Sequence, residues 1–165
     1  PPRRNDRRVG VAKRPGGRYL AAMKIEDVIK TKGSTAVETI APDASVAELV
    51  RVLTEKNIGA VVVSTDGRHI AGIVSERDVV RGLAAQGASV VDASVSDLMT
   101  AEVHTAEPDS LVEDAAGQMT DFRVRHMPVV VDGVMVGLVS IGDVVKHRIA
   151  QLTDERDHLI NYLNS

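Results

Sequence analysis

Two short segments of this chain set a hydroxyl and a carboxylate three residues apart, Ser75-Glu76-Arg77-Asp78 and Ser140-Ile141-Gly142-Asp143. Each follows a Gly-apolar-Val step and leads into a run with apolar residues at helical spacing, so each marks a strand passing into a helix. Such a pair has two uses. As a capping box, the serine takes the N-cap and the aspartate returns to the N-cap amide, with nothing bound. As a ligand site, the same helix terminus offers unpaired N–H groups and a positive dipole end to a phosphate, and the aspartate can accept both hydroxyls of a ribose.

A second cluster, Arg123-Val124-Arg125-His126-Met127-Pro128, places basic groups just ahead of an apolar run and by itself reads as a solvated turn. Little supports catalysis. Neither Ser75 nor Ser140 has a histidine in a suitable local arrangement. His69, His104, His126, His147 and His158 are dispersed, without HExxH spacing or a carboxylate cluster. There is no P-loop and no G-x-G-x-x-G. The absence of cysteine excludes disulfides, zinc–thiolate sites, iron–sulfur clusters and thiol catalysis. The chain is therefore expected not to be an enzyme, and to carry neither a metal nor a covalent cofactor.

The elements that must position these residues come from an internal repeat. VETIAPDASVAELVRVLTEKNIGAVVV, starting at Val37, aligns with VHTAEPDSLVEDAAGQMTDFRVRHMPVVV, starting at Val103. The match runs from Pro42/Pro108 through Val63/Val129 without a gap. It resumes at Gly72/Gly137 after one deletion and carries Asp78 onto Asp143. In each copy a Pro-Asp turn leads to a helix, with Val46, Leu49, Val50 and Leu53 as the apolar face of one and Leu111, Ala115, Met119 and Phe122 of the other. A β-rich run follows (60–64; 128–131), then Asp66-Gly67 or Asp132-Gly133, a strong hairpin signal because both central residues must tolerate positive φ. The returning strand (70–74; 134–139) ends in Ser-x-x-Asp and a second helix. The unit is β-α-β-β-α and about 50 residues long, below the ~60 at which a lone domain is marginal. The expected fold is α+β, two repeats packed sheet to sheet with pseudo-two-fold symmetry.

Charge divides the chain unevenly. Residues 1–22 hold seven basic residues and one acidic residue, leaving 13 basic and 22 acidic residues beyond them. Such an acidic body is a poor duplex-binding surface, and with only Tyr19, Phe122 and Tyr162 the whole chain offers almost no base-stacking platform. The basic head lacks apolar periodicity and the h-region of a signal peptide, and is expected to be disordered. Met23 is expected to be the natural start, with residues 1–22 upstream of it. No run approaches the ~18 apolar residues of a spanning helix. The organisation expected is thus 1–22 as the basic segment, 23–90 as the first repeat with a short lead-in helix, 91–150 as the second, and 151–165 as a C-terminal helix. In that tail Ile149, Leu152, Leu159, Ile160 and Leu163 continue a helical pattern, as either a helix closing over the module or a dimer contact.

Two β-α-β-β-α copies, each ending in Gly-apolar-Val-Ser-x-x-Asp, together with Asp97-Leu98-Met99-Thr100, resemble a tandem pair of cystathionine-β-synthase (CBS) domains, the Bateman module. The resemblance covers roughly residues 23–150 and is nearest to compact two-CBS proteins that stand alone. It departs at the first opening, where Asp27-Val28-Ile29-Lys30-Thr31 lacks the methionine and is followed by an extra Lys32-Gly33-Ser34-Thr35. The resemblance implies an adenosine nucleotide (AMP, ATP or NAD(H)) in the cleft between the repeats, held by Ser75, Asp78, Ser140 and Asp143. It places Thr100 at the site and sets Arg125 and His126 against phosphate. Their first-repeat counterparts, Gly59 and Ala60, carry no charge, so Arg125, His126 and Arg77 supply the cations. Val37, Ile58, Ile73, Val103, Val124 and Leu138 are the walls of an adenine slot. The resulting expectation is a cytoplasmic, homodimeric regulatory module that signals to a protein partner, not to nucleic acid or a membrane. Two alternatives stay open: a dimerisation module without ligand, and a nucleic-acid-associated regulator using residues 1–22.

Overall fold

A computed structural model describes residues 22–33 and 36–165. The expectation for the basic segment falls, apart from Ala22, outside the described residues. The lead-in helix forms as α1 (Ile25–Thr31), started by Asp27, whose carboxylate accepts from the Lys24 amide at 2.9 Å. The first repeat follows as β1 (Thr39–Ile40), α2 (Val46–Lys56), β2 (Ala60–Val63), β3 (Gly72–Ser75) and α3 (Glu76–Gln86). A 3-10 turn over Gly87–Asp92 and a short α4 (Val95–Leu98) lead to α5 (Val112–Asp121), β4 (His126–Val131), β5 (Val134–Ser140) and the long α6 (Ile141–Leu163).

Helix α2 shows how the local signals act. Ser45 caps it by accepting from the Glu48 amide at 3.1 Å, and Asn57 ends it in the left-handed region at φ 51°. Val46, Leu49 and Leu53 are buried as expected, whereas Val50 is 41% exposed. Phe122, expected on the buried face of α5, is also exposed; its ring stacks on His104 at a centroid distance of 3.8 Å.

In the first repeat β1 pairs parallel with β2, which pairs antiparallel with β3. In the second, β4 and β5 pair antiparallel, and the expected leading strand is reduced to one bridge between Ala106 and Val129. The cause is Pro128: its carbonyl accepts from the Ala106 amide at 3.0 Å, but it has no N–H to return to the 104–106 segment. The turns differ as well. Asp132 and Gly133 both take positive φ and close β4–β5 with two residues, as the Asp-Gly signal requires. The Asp66-Gly67 turn instead opens into a loop over 64–71. Asp66 there accepts from the amides of Arg68 and His69, each at 2.8 Å, which stabilises a turn of its own.

The cores are completed by exchange. Ile25 and Val28 of α1, which precede the first repeat in sequence, pack with Met119, Met127, Val129 and Val139 of the second. Val95 of α4 packs with Leu49, Leu53, Val61 and Val74 of the first. Matching backbone bonds fix both helices: Ile25 to Ser110 O at 2.9 Å and Glu26 to Pro108 O at 2.8 Å, against Val95 to Ala44 O at 2.8 Å and Ser96 to Pro42 O at 2.9 Å. These paired bonds carry the pseudo-two-fold symmetry of the α+β fold.

Each lead-in helix also drives a side chain onto the glycine of the opposing hairpin. A Cβ on Gly137 would lie 2.8 Å from Ile29 Cδ1; one on Gly72 would lie 2.6 Å from Met99 Sδ and 2.9 Å from the Thr100 carbonyl. Side-chain ends can move aside, but a backbone carbonyl held in a bridge cannot do so cheaply. Gly72→Ala is therefore expected to cost about 1–3 kcal/mol and Gly137→Ala measurably less, as read by urea unfolding. Equal losses, or the reverse order, would contradict the close approach described.

Candidate functional site

Where β2 and β4 begin, the repeats together wall a cavity of about 290 Å³. Val37, Ile58, Gly59 and Ala60 line it from the first repeat, and His126, Leu138 and Ser140 from the second. Those seven were expected from the sequence. Ile29, Lys32, Ala36, Glu38 and Gly137 complete the wall and were not. The available signal for Lys32 was the four-residue excess that it opens, which breaks the match between the two repeats.

Ser140 sits at the N-cap of the 23-residue α6 and accepts from the Asp143 amide at 3.1 Å, while Asp143 Oδ2 accepts from the Ser140 amide at 2.9 Å. The same oxygen accepts from Lys32 Nζ at 2.8 Å, and that ammonium also donates to the Leu138 carbonyl at 2.9 Å. Burial works to raise the pKa of Asp143, but the hydrogen bonds from Lys32 and Ser140 and the charge of Lys32 outweigh it, holding the carboxyl below its usual range. Glu38 is paired with Lys56 at 3.2 Å.

The remaining expected residues are away from this cavity wall. Ser75 and Asp78 form the corresponding pair at α3, with the Ser75 amide and hydroxyl donating to Asp78 Oδ2 at 2.8 and 3.0 Å. Ile73 and Thr100 are joined by two backbone hydrogen bonds of 3.0 and 2.9 Å. Arg77 and Arg125 are exposed, Val103 is half-buried, and Val124 packs against the second core. His126 reaches the cavity, but not as a ready cation. Burial, then the nearby positive charge of Lys32, push its pKa below the ordinary 6.5, with Asp143 and Glu76 opposing only in part. Near neutral pH its imidazole is uncharged, and the cation lining the cavity is Lys32.

A CBS-domain family model matches residues 25–85 and 95–150, which takes in both hairpins and both Ser-x-x-Asp helix starts. The chain belongs to the CBS-domain family. CBSX3, a mitochondrial CBS domain-containing protein of Arabidopsis thaliana, is 39% identical over 146 residues, covering 84% of this chain and 71% of its own length. The crystal structure of the CBS-domain containing protein ATU1752 from Agrobacterium tumefaciens matches with a TM-score of 0.73 at 39% identity, covering 76% of this chain and 99% of that one. The CBS domain pair of protein MJ0100, solved in complex with 5′-methylthioadenosine and S-adenosyl-L-methionine, shares the fold at a TM-score of 0.69 and 23% identity, over 79% of this chain and 98% of its own.

CBS-domain pairs of this kind are regulatory modules. Among the described residues of this one, no group of three or more His, Asp or Glu could hold a metal ion, and no helix is long and apolar enough to cross a membrane.

The depressed His126 has a consequence for stability. A histidine that resists protonation in the folded state favours folding above its ordinary value near 6.5 and loses that advantage as pH falls toward the folded value. The pair should therefore weaken as pH falls from above 6.5 through the lower folded value of His126, and His126→Gln should flatten that slope. Chemical denaturation at several pH values reads both; parallel slopes for wild type and variant would refute the assignment.

Proposed function

We propose that this CBS pair is a regulatory module that takes an adenosine-containing nucleotide (AMP, ATP or NAD(H)) in the cavity between its repeats and reports occupancy to a protein partner. The composition of that cavity carries the proposal. Its apolar walls, Ile29, Val37, Ile58 and Leu138, suit a base, and they stand beside the N-terminus of α6 with its Ser140 and Asp143. Its volume is close to the lower end of ligand pockets, roughly 300–1,000 Å³. The MJ0100 pair, of the same fold, carries adenosine compounds. Because the cavity is walled by both repeats, a ligand there can bias their relation, to the extent that its affinity differs between two arrangements. A cytoplasmic setting belongs to the same proposal, although the Arabidopsis relative is mitochondrial.

One observation favours the simpler alternative of a dimerisation module without ligand: both Ser-x-x-Asp pairs are engaged in capping boxes at their own helix starts. The two uses are compatible, since capping occupies Oδ2 and, among the described residues, nothing engages Oδ1 of either aspartate. A role in nucleic-acid binding would rest on residues outside those described.

Asp143→Asn separates the two uses. It keeps a capping oxygen but removes a charge-assisted ribose acceptor, a bond worth roughly 1.5–3 kcal/mol, or about ten- to hundredfold in affinity. Calorimetry with AMP is expected to show that loss in a variant that folds normally, with Asp78→Asn reporting on the corresponding position at α3. Wild-type affinity in both variants and in the double variant would rule out the site.

Assembly has its own signature. Val80 and Leu83 on α3, and Val145, Ile149 and Leu152 on α6, are exposed at helical spacing on pseudo-equivalent helices. The tail continues α6 without a break, and Leu159, Ile160 and Leu163 stay exposed instead of closing over the repeats. We infer a homodimer through these faces. Sedimentation at tens of micromolar should show a dimer that Ile149→Asp with Leu152→Asp converts to monomer; a wild-type monomer would refute it.

A further inference from the structure

The two repeats close the outer edge of their hairpins by different means. In the first, the carbonyl of Ile73 accepts from the backbone amide of Thr100 at 2.9 Å. In the second, the equivalent carbonyl of Leu138 accepts from the ammonium of Lys32, also at 2.9 Å. The sequence shows how this arises. Helix α4 stops at Leu98 and Met99 is extended, so Thr100 reaches β3 as backbone. Helix α1 runs on to Thr31, and the four-residue excess then begins with Lys32 still in helical conformation, at φ −71° and ψ −11°. Thr31 fixes this last turn, its hydroxyl 2.9 Å from the Val28 carbonyl and 2.8 Å from Nε2 of His147 on α6. A neutral amide in one repeat is thus replaced by a full positive charge in the other, and that charge lines the cavity.

We propose that Lys32 is the specificity-determining residue of this cavity, selecting adenosine ligands that carry an anionic group such as a 5′-phosphate over neutral or cationic ones. This rests on the nucleotide site proposed above and names the ligand class it takes. An ammonium has three N–H donors. Lys32 gives one to Leu138 O and one to Asp143 Oδ2, and among the described residues the third has no partner. A ribose diol accepted at Asp143 Oδ1 would stand directly beside that ammonium. A phosphoryl oxygen on the same ligand then supplies an acceptor for the third N–H, and in a partly desolvated site the attraction is stronger than in water. A neutral thioether supplies no such acceptor, and S-adenosyl-L-methionine places a sulfonium at the 5′ position, a second positive charge beside the ammonium, with its carboxylate further out on the amino-acid chain. The other groups facing the cavity do not reverse this: Glu38 is held by Lys56, and Asp143 is already balanced by Lys32 itself.

Calorimetry on the full chain with AMP, 5′-methylthioadenosine and S-adenosyl-L-methionine tests the assignment, using Lys32→Met and Lys32→Arg. Wild type is expected to bind AMP at least tenfold more tightly than 5′-methylthioadenosine, and S-adenosyl-L-methionine more weakly still. Lys32→Met should lose at least tenfold for AMP while changing less than threefold for 5′-methylthioadenosine. Lys32→Arg should keep most of the preference, since the charge stays. If Lys32→Met weakens both ligands alike, or leaves the AMP preference intact, Lys32 only supports the fold and the proposal fails. If wild type binds none of the three, the nucleotide site itself is wrong, a result distinct from binding without preference.

Discussion

Everything else in this molecule depends on the exchange of its two lead-in helices. A β-hairpin with two helices leaves one side of its apolar cluster open, and a unit of that size cannot offset its own ordering entropy. Ile25 and Val28 close the second repeat from a helix that precedes the first, and Val95 closes the first from a helix that precedes the second. Neither core is complete without chain from beyond its own repeat. The glycines follow from the same constraint, because the side chains of Ile29 and Met99 need the space that a Cβ on Gly137 or Gly72 would fill. So does the place of the cavity. Lys32, at the end of a helix docked to one repeat, and Ala36, Val37 and Glu38, just ahead of the strand of the other, supply a wall where the two meet.

Against this shared frame the repeats differ at pseudo-equivalent positions, each time by a change of chemistry at the same place. Glu38 pairs with Lys56 at 3.2 Å in the first repeat, where the second stacks His104 on Phe122 at 3.8 Å. Val62 pairs with Thr39 in the first, where the second has Pro128 and keeps a single bridge, Ala106 to Val129. Thr100 closes one hairpin edge with a peptide dipole and Lys32 closes the other with a charge. A duplicated fold has in this way been given two unlike hairpin edges, and the charged one lies at the cavity.

The Ser-x-x-Asp pairs show why cap and site need not exclude each other. The cap uses the serine hydroxyl, the N-cap amide and one carboxylate oxygen, all of which are local to one turn. What stays unengaged among the described residues is the other carboxylate oxygen, beside the first turn of a helix with its dipole. A strong cap holds that oxygen in one place, which lowers the ordering needed when a ligand arrives.

The sequence by itself determined much here. The repeat, its β-α-β-β-α order and the register that brings Asp78 onto Asp143 were legible because apolar periodicity, Asp-Gly turns and Ser-x-x-Asp caps are local signals that occur twice. Seven of the cavity residues were expected through the family resemblance that this repeated pattern carries, which maps them by position along each copy. The rest depended on contacts between residues far apart in the chain, which no local pattern encodes. That α1 docks on the repeat it does not lead into, that Ile29 abuts Gly137, and that Phe122 stacks on His104 are outcomes of packing. The charge of the cavity was decided in the same way. Arg77 and Arg125 remain exposed and burial disfavours the charged form of His126, whereas Lys32, marked in the sequence by the excess it opens but not as a binding group, is carried by one extra helical turn to a carboxylate 111 residues away.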